Sequence, residues 1–198
     1  MAARTICARC IASSDCGAGK WYTRTSRGDF KENPLGQIVN AFTCTGAYAV
    51  LIMTGLKRVE NRLAVPSPLD GRCAVTVSRS FRRSEFDNLM AWLRGRLPEN
   101  VYGMLPEWDD VRAWPGHVVG TVDYCVKESA ACSEDELLQR RIWDENYPCW
   151  WHLARPKIFG SPIPCRGNVG MWSLPPELVA AVSRLEEWGQ SPGAERCT

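Results

Sequence analysis

The sequence predicts a mixed α+β fold, mainly β, in which helices pack on a small, partly closed β-barrel. In the central region, segments with the two-residue alternation of strands outnumber segments with helical spacing. Strands and helices also do not alternate strictly, which argues against a doubly wound parallel sheet. A small barrel with helices packed on it agrees with both observations.

Length and charge set wide limits on function. The chain has 198 residues and a formal net charge of +2, which suit one domain of ordinary size with room for extensions. So small a charge predicts no particular partner, and nucleic acid is permitted but not required. No apolar run approaches the ~18 residues that cross a bilayer, and the N-terminus lacks the apolar segment of a signal peptide. We therefore expect an intracellular protein, cytoplasmic or nuclear, with no membrane partner.

Cysteine and tryptophan are both frequent. Ten cysteines suit a secreted disulfide scaffold only in a much shorter chain, so we expect reduced thiols, many of them in the core. Of the nine tryptophans, we expect several in the core and a few along a cleft.

The chain divides into three parts. Residues 1–40 form an N-terminal extension without periodicity, residues 41–176 the barrel domain, and residues 177–198 a C-terminal helix and tail. In the extension, Cys7 and Cys10 form a C-x-x-C pair, which is either half of a zinc site or incidental. A structural zinc needs four ligands, but no second C-x-x-C and no paired histidines follow at a usable distance, so Cys16 and Cys44 would have to complete the set. We therefore predict neither a metal site nor a cofactor.

The barrel domain begins with a helix and a charged strand. A capping hydroxyl precedes an apolar run, and Gly55 suits the left-handed turn that ends helices. Residues 57–62 then alternate as a strand does, which predicts Glu60 and Arg62 on one face and Lys57 on the other. Charge this close to a buried helix is either solvated at a rim or gathered in a pocket.

The next segments alternate in type. After a turn-rich link, residues 72–79 predict a strand with a polar, cationic end at Ser78 and Arg79. Ser84 is predicted to cap a second helix, and residues 98–116 a long ordered loop of the kind that often serves as a lid or binding loop. The apolar stripe of the helix is expected in the core and comprises Phe86, Leu89, Met90, Leu93 and Leu97.

The remaining sequence predicts two helices and several strands. Residues 117–126 predict a mostly buried strand, with Gly120 where another group approaches closely. A capping box at Ser133 predicts a helix to about residue 145. Short strands are predicted at 147–153, 157–159 and 169–172, and a final helix is predicted from Pro175 to Gly189.

Two separated motifs carry a family resemblance. The first joins Tyr48-Ala49 to a G-x-K-x-x-E-x-R pattern at residues 55–62. The second runs from Pro162 to Trp172, with a proline-flanked apolar pair, a basic-Gly step and a Gly-apolar-Trp ending. In this order they resemble the motifs of the ASCH domain superfamily, nearest to its EOLA-type eukaryotic members. The resemblance covers about residues 42–175 and implies a PUA-like β-barrel, a fold shared with RNA-modification domains.

The resemblance also implies a cleft and the residues that line it. The Lys, Glu and Arg of the signature correspond to Lys57, Glu60 and Arg62, and the polar strand end corresponds to Ser78 and Arg79. Arg62 can clamp a phosphate or hold Glu60, whose carboxylate can accept the exocyclic amine of a base. Lys57 supplies a compact charge for a phosphate or a base carbonyl. We therefore predict a module that binds RNA, single-stranded nucleic acid or a nucleoside.

Two departures from the family pattern bear on activity. Many members have Gln-Pro where this chain has Gly46-Ala47, which removes a side chain able to reach the cleft. Some bacterial members resemble amidohydrolases of acetylated cytidine that use a lysine, a threonine nucleophile and a glutamate, and Glu60 occupies the threonine position. A hydrolase here therefore requires Glu60, with Lys57, to activate water as a base.

Other residues and other interpretations stay open. Asp123 is a candidate second carboxylate of the cleft, and Trp151, its neighbour Trp150 or the tryptophans of the 108–114 region offer stacking faces for bases. A third interpretation is a protein-interaction module that uses the tryptophan-rich loop, with a vestigial cleft. A fourth is that the charges at 58–62 form ion pairs on a solvated face. The two histidines, at 117 and 152, are expected to be structural.

Overall fold

Strands dominate the part of the chain that the computed structural model describes, which comprises residues 22–24, 30–32, 38, 40–63, 65–66, 70–126, 134, 142–143 and 149–188. The fold is mixed α+β with more strand than helix, as predicted. Its main sheet has six strands and curls into a half-barrel, which is compatible with a small β-barrel that carries helices.

The described residues form eight strands: β1 (Tyr22–Arg24), β2 (Phe30–Glu32), β3 (Asn40–Cys44), β4 (Val59–Arg62), β5 (Asp70–Val77), β6 (His117–Val126), β7 (Cys149–Pro164) and β8 (Met171–Ser173). β1 and β2 pair as an antiparallel ribbon. The other six form the main sheet in the order β4-β7-β6-β5-β3-β8. In this sheet β3 and β5 are parallel, and the other neighbouring pairs are antiparallel.

Five helices have described bounds: α1 (Gly46–Met53), α2 (Arg83–Arg94), α3 (Glu99–Tyr102), α4 (Trp108–Val111) and α5 (Pro176–Trp188). None of the described helices combines the length and the apolar character that a membrane crossing requires. In the predicted 133–145 helix, Glu134, Ile142 and Trp143 are described and helical. The rest of that helix, the cysteines at 7, 10 and 16, and the predicted helix end at Gly189 lie outside the described residues.

Each face of the main sheet has its own hydrophobic core. The α1–α2 face, which those two helices cover, holds the larger core, including Phe42, Val75 and Trp151. The α5 face packs on helix α5 through Val182 and includes Ala74. Adjacent residues of one strand, such as Ala74 and Val75, therefore contribute to different cores, because side chains alternate across a strand.

Several predicted elements are confirmed. Strand β6 has the bounds predicted for it, and Phe86, Leu89 and Leu93 of the predicted stripe are buried. A Cβ atom at Gly120 would lie 2.1 Å from the backbone oxygen of Lys157, which confirms a close approach there. Of the described cysteines, Cys44, Cys73 and Cys165 are buried thiols, as expected of core residues.

Other local predictions are wrong. The predicted 98–116 loop contains the short helices α3 and α4, and strand β3 was not predicted. The predicted strands at 147–153 and 157–159 are one continuous strand, β7, because pairing with β6 carries it past two irregular positions. Helix α2 begins at Arg83 after an extended Arg82, so Ser84 lies inside the helix and does not cap it.

Candidate functional site

Three charged side chains of the G-x-K-x-x-E-x-R pattern meet on one side of strand β4. The Oε1 atom of Glu60 lies 2.7 Å from Nη2 of Arg62, and its Oε2 atom lies 3.8 Å from Nζ of Lys57. The side chains are 2% exposed for Lys57, 6% for Glu60 and 18% for Arg62. We call these three residues the buried charge group.

The turn after helix α1 brings Lys57 to this group. Gly55 has a φ of +76°, in the left-handed region that favours glycine, and the amide of Lys57 donates to the carbonyl of Leu51 at 2.9 Å. The predicted alternation placed Lys57 opposite Glu60, which is wrong because β4 begins only at Val59. Lys57 precedes the strand and folds back, and its ammonium group donates to the carbonyl of Val59.

Aromatic rings cover both cations of the group. Nζ of Lys57 lies 5.1 Å from the ring centroid of Tyr48 and 5.5 Å from that of Trp143. Cζ of Arg62 lies 5.4 Å and 5.5 Å from the rings of Phe42 and Trp151. Distances below about 6 Å give cation–π attraction, which grows as the pair loses contact with water.

Trp151 packs against the buried charge group and does not offer an open stacking face. It is 1% exposed, and its ring packs at about a right angle to that of Phe42, with the ring centroids 5.9 Å apart. Because Trp151 pairs in register with Glu60 on the neighbouring strand, both side chains lie on the same face of the sheet. The tryptophans of the 108–114 region also pack inward: Trp114 is 3% exposed, and Trp108 packs on two phenylalanine rings.

Arg62 also links strands that are not neighbours in the sheet. Its Nη2 atom donates a 2.7 Å hydrogen bond to the backbone carbonyl of Thr43 on β3. β4 is the edge strand on one side of the sheet, whereas β3 is second from the other edge. The bond therefore crosses the concave side of the curled sheet.

The buried charge group changes its surroundings. Burial raises the pKa of the nearby Cys44 thiol, and the negative charge of Glu60 raises it further. Cys44 is consequently a neutral core residue at physiological pH. Within the described residues, no three His, Cys, Asp or Glu side chains are grouped as metal ligands would be.

Asp123 lies on the other face of the sheet. Its Oδ1 atom is 2.7 Å from Nη1 of Arg72, and Arg155 binds its second oxygen. Arg72 continues the network with a 2.7 Å contact to Glu186 on helix α5. Tyr124, the next residue along β6, belongs to the core of the α1–α2 face, so Asp123 points to the α5 face. The structure thus separates Asp123 from the buried charge group.

Ser78 and Arg79 lie at the end of β5, where the amide of Ser78 donates to the carbonyl of Cys44 at 2.9 Å. The hydroxyl of Ser78 is 2.9 Å from that of Ser80. Arg79 is exposed and borders a cavity of about 520 Å³ together with residues 115–117 and 164–166. His117 and Arg166 line the same cavity. Sequence reasoning took His117 as structural and gave Arg166 no role, because only the pairing of β6 with β7 brings the two residues together.

A second cavity, of about 450 Å³, lies beside helices α2, α3 and α4. Its lining is partly apolar, with Phe86, Met90 and Trp108, and Arg83 and Glu107 also line it. Cζ of Arg83 lies 5.7 Å from the ring centroid of Trp108. This cavity borders the tryptophan-rich loop on which the protein-interaction interpretation is based.

Comparison with known proteins adds no assignment. No protein-family model matches this chain, and no curated protein matches its sequence significantly. The functional argument therefore depends on the residues described above.

Proposed function

We propose that the chain is an RNA- or nucleotide-binding module of the ASCH type, with a PUA-like barrel, in which the buried charge group recognises a nucleobase. The observation that carries the proposal is the burial of Lys57, Glu60 and Arg62 together in one contact group. Removing each ion from water costs several kcal/mol, and apolar residues of similar size often stabilise a core better. Charges kept at such a cost favour a role in recognition.

The three side chains divide the work of recognition. Arg62 holds one carboxylate oxygen of Glu60 and is itself fixed by the carbonyl of Thr43. The carboxylate accepts a hydrogen bond from the exocyclic amine of cytosine or adenine, and Lys57 donates one to a ring nitrogen or carbonyl of the same base. The two groups lie 3.8 Å apart, which is close enough for both to contact neighbouring atoms of one ligand.

A base reaches the group past two aromatic side chains. Tyr48 and Trp143 are half-buried and lie against the Lys57 ammonium. Displacing one ring from the cation costs about 0.5–2 kcal/mol, which stacking of the incoming base on that ring offsets, since such stacking contributes about 1–3 kcal/mol. The cost of displacing the ring is therefore small compared with the binding free energy of about 8 kcal/mol that corresponds to a micromolar dissociation constant.

Titration with labelled single-stranded RNA and DNA tests the proposal. We expect Lys57→Gln and Glu60→Gln each to weaken binding about tenfold, which corresponds to about 1.4 kcal/mol. Arg58→Gln is the matched control, because it removes the same charge as Lys57→Gln from an exposed neighbour and should change affinity less than threefold. Near-ultraviolet circular dichroism establishes that each variant is folded. Equal affinities of wild type and both site variants contradict the proposal.

Hydrolysis of a modified nucleoside is the second candidate function. The 3.8 Å separation of Lys57 and Glu60 allows both to contact a water or an amide, with Glu60 as the base. Incubation with acetylated cytidine and related amides, followed by mass detection of the products, separates an enzyme from a binding module. Turnover lost in Glu60→Gln establishes the enzyme, and binding without turnover by folded wild type leaves the binding module.

A further inference from the structure

Three strand ends border an open cavity of about 520 Å³, which we call the strand-end cavity. The amide of Gly116 donates to the carbonyl of Val77 at the end of β5, and the amide of Cys165 donates to the carbonyl of Gly116, both at 2.9 Å. At the start of β6, His117 pairs with Pro164 of β7. The walls are therefore backbone segments held by hydrogen bonds, which makes the cavity preformed.

The charged side chains described around the strand-end cavity are those of Arg79 and Arg166. His117 lines it with them, and its described lining residues include no carboxylate. Neither arginine forms an ion pair with a carboxylate in the described part of the chain, whereas Arg62 and Arg72 both do. Two exposed guanidinium groups beside one concavity, with no acid of the described residues paired to them, make a local positive field that attracts an anion.

Backbone and ring geometry aim these groups. Gly116 has a φ of +74°, and a Cβ atom there would lie 3.2 Å from Cγ and 3.3 Å from Nε of Arg79. The arginine stem therefore lies across the bare glycine. Nδ1 of His117 is 2.8 Å from the carbonyl of Pro115, so it carries the proton that the carbonyl accepts. With Nδ1 engaged in this way, Nε2 can donate to a phosphate oxygen only in the imidazolium form, in which both ring nitrogens are donors.

We propose that the strand-end cavity binds a phosphate group between Arg79 and Arg166, with His117 as a third contact. The planar guanidinium fork matches two phosphate oxygens, and two such forks fix the orientation of the group. The volume is several times that of one phosphate and lies within the range of small-ligand sites, so the phosphate belongs to a larger ester. That ester is either a mononucleotide or the backbone of RNA. The inference does not depend on base recognition by the buried charge group.

Nuclear magnetic resonance of the isotope-labelled full chain tests the site with inorganic phosphate, adenosine monophosphate and a uridine tetranucleotide. We expect saturable shifts of the amide signals of Gly116, His117, Arg166 and Gly167. The double variant Arg79→Gln/Arg166→Gln should weaken binding at least tenfold. The control Arg82→Gln/Arg184→Gln removes the same charge from two exposed arginines outside the cavity lining and should weaken it less than threefold.

The outcomes separate the two sources of phosphate and the two sites. Tighter binding of the tetranucleotide than of the mononucleotide assigns RNA backbone, and the reverse order assigns a free nucleotide. Retention of these shifts in Lys57→Gln shows that the site acts independently of the buried charge group. Absence of saturable shifts with all three probes, or equal losses in both double variants, overturns the proposal.

Discussion

The guanidinium of Arg62 donates a 2.7 Å hydrogen bond to the backbone carbonyl of Thr43 across the concave side of the half-barrel. The same nitrogen lies 2.7 Å from the carboxylate of Glu60. One side chain thus joins two strands that share no ladder and neutralises a buried acid. A ligand that displaces Arg62 from Glu60 would therefore also affect the stability of the half-barrel.

The first prediction concerns the loss of Arg62. Arg62→Met should lower the free energy of unfolding by about 3–5 kcal/mol, because it removes the cation nearest to the buried carboxylate of Glu60. The double variant Arg62→Met/Glu60→Gln should recover at least about 1 kcal/mol of this loss. Urea unfolding followed by tryptophan fluorescence measures both values. A loss below about 1 kcal/mol for the single variant contradicts a structural role for the ion pair.

The second prediction concerns Gly46, at the start of α1. A Cβ atom at this position would lie 1.8 Å from a ring carbon of Phe81, so this ring fills the space that a longer side chain needs. Gly46→Ala should destabilise the protein by about 1–3 kcal/mol through overpacking. Gly95→Ala is the control, since its Cβ meets nothing within 4 Å at an ordinary φ of −86°, and it should be neutral or stabilising by up to about 1 kcal/mol. Thermal unfolding distinguishes the two, and equal effects argue against the clash.

The third prediction is a loss of stability at alkaline pH. Burial raises the pKa of the Cys44 and Cys73 thiols and of the Tyr124 hydroxyl above their ordinary values. Once the pH exceeds the ordinary values of about 8.5 for Cys and 10 for Tyr, the unfolded chain releases protons that the folded chain keeps. The free energy of unfolding therefore falls as the pH rises. The contribution of these three groups is complete below about pH 8 and is lost above it.

Urea midpoints measured between pH 7 and pH 10.5 check this dependence. Cys73→Ala should flatten the part of the curve between about pH 8.5 and 10, because it removes one of the retained protons. A thiol reagent at pH 8 should modify the half-buried Cys149 well before Cys44 or Cys73. A constant midpoint, or rapid modification of Cys73 in the native protein, would show that these groups are not buried as described.

The fourth prediction concerns the strand-end cavity. Gly116→Ala places a side chain at a φ of +74° and pushes against the stem of Arg79. It should destabilise the protein by about 1 kcal/mol and weaken phosphate binding severalfold. Gly160→Ala, whose Cβ would meet nothing within 4 Å, should leave phosphate binding unchanged. Amide shift titrations with inorganic phosphate compare the two, and equal affinity in both variants contradicts the role of Gly116.

Local pattern predicted the elements whose side chains repeat regularly. The stripe of Phe86, Leu89 and Leu93 identified α2, and the apolar run at 117–126 identified β6 with its bounds. Strand β3 has five residues, and its place in the sheet comes from partners about 30 and 130 positions away, so local pattern did not show it. Residues 154–156 fell between two predicted strands, whereas pairing with β6 keeps β7 continuous through them.

The candidate site shows the same division between local and distant information. The spacing of Glu60 and Arg62 along one strand predicted that they share a face, as the structure shows. Lys57 was grouped with them only by the family resemblance, because alternation placed it on the opposite face, whereas the structure brings it 3.8 Å from Glu60. Grouping Asp123 and Arg79 with them required knowledge of which face each strand presents, and alternation alone does not relate the faces of distant strands. In the structure, Asp123 forms an ion pair with Arg72, and Arg79 lines a cavity with His117 and Arg166.

The pairing of Asn40 with Ser173 in the β3–β8 ladder has a consequence for synthesis. Translation delivers β3 more than a hundred residues before its outer neighbour, so during most of elongation that side of β3 is an unprotected strand edge. Such edges recruit other chains. A ribosome carrying a nascent chain that stops short of β8 therefore displays a surface on which neighbouring polypeptides can aggregate, and closure waits for the last stretch to emerge.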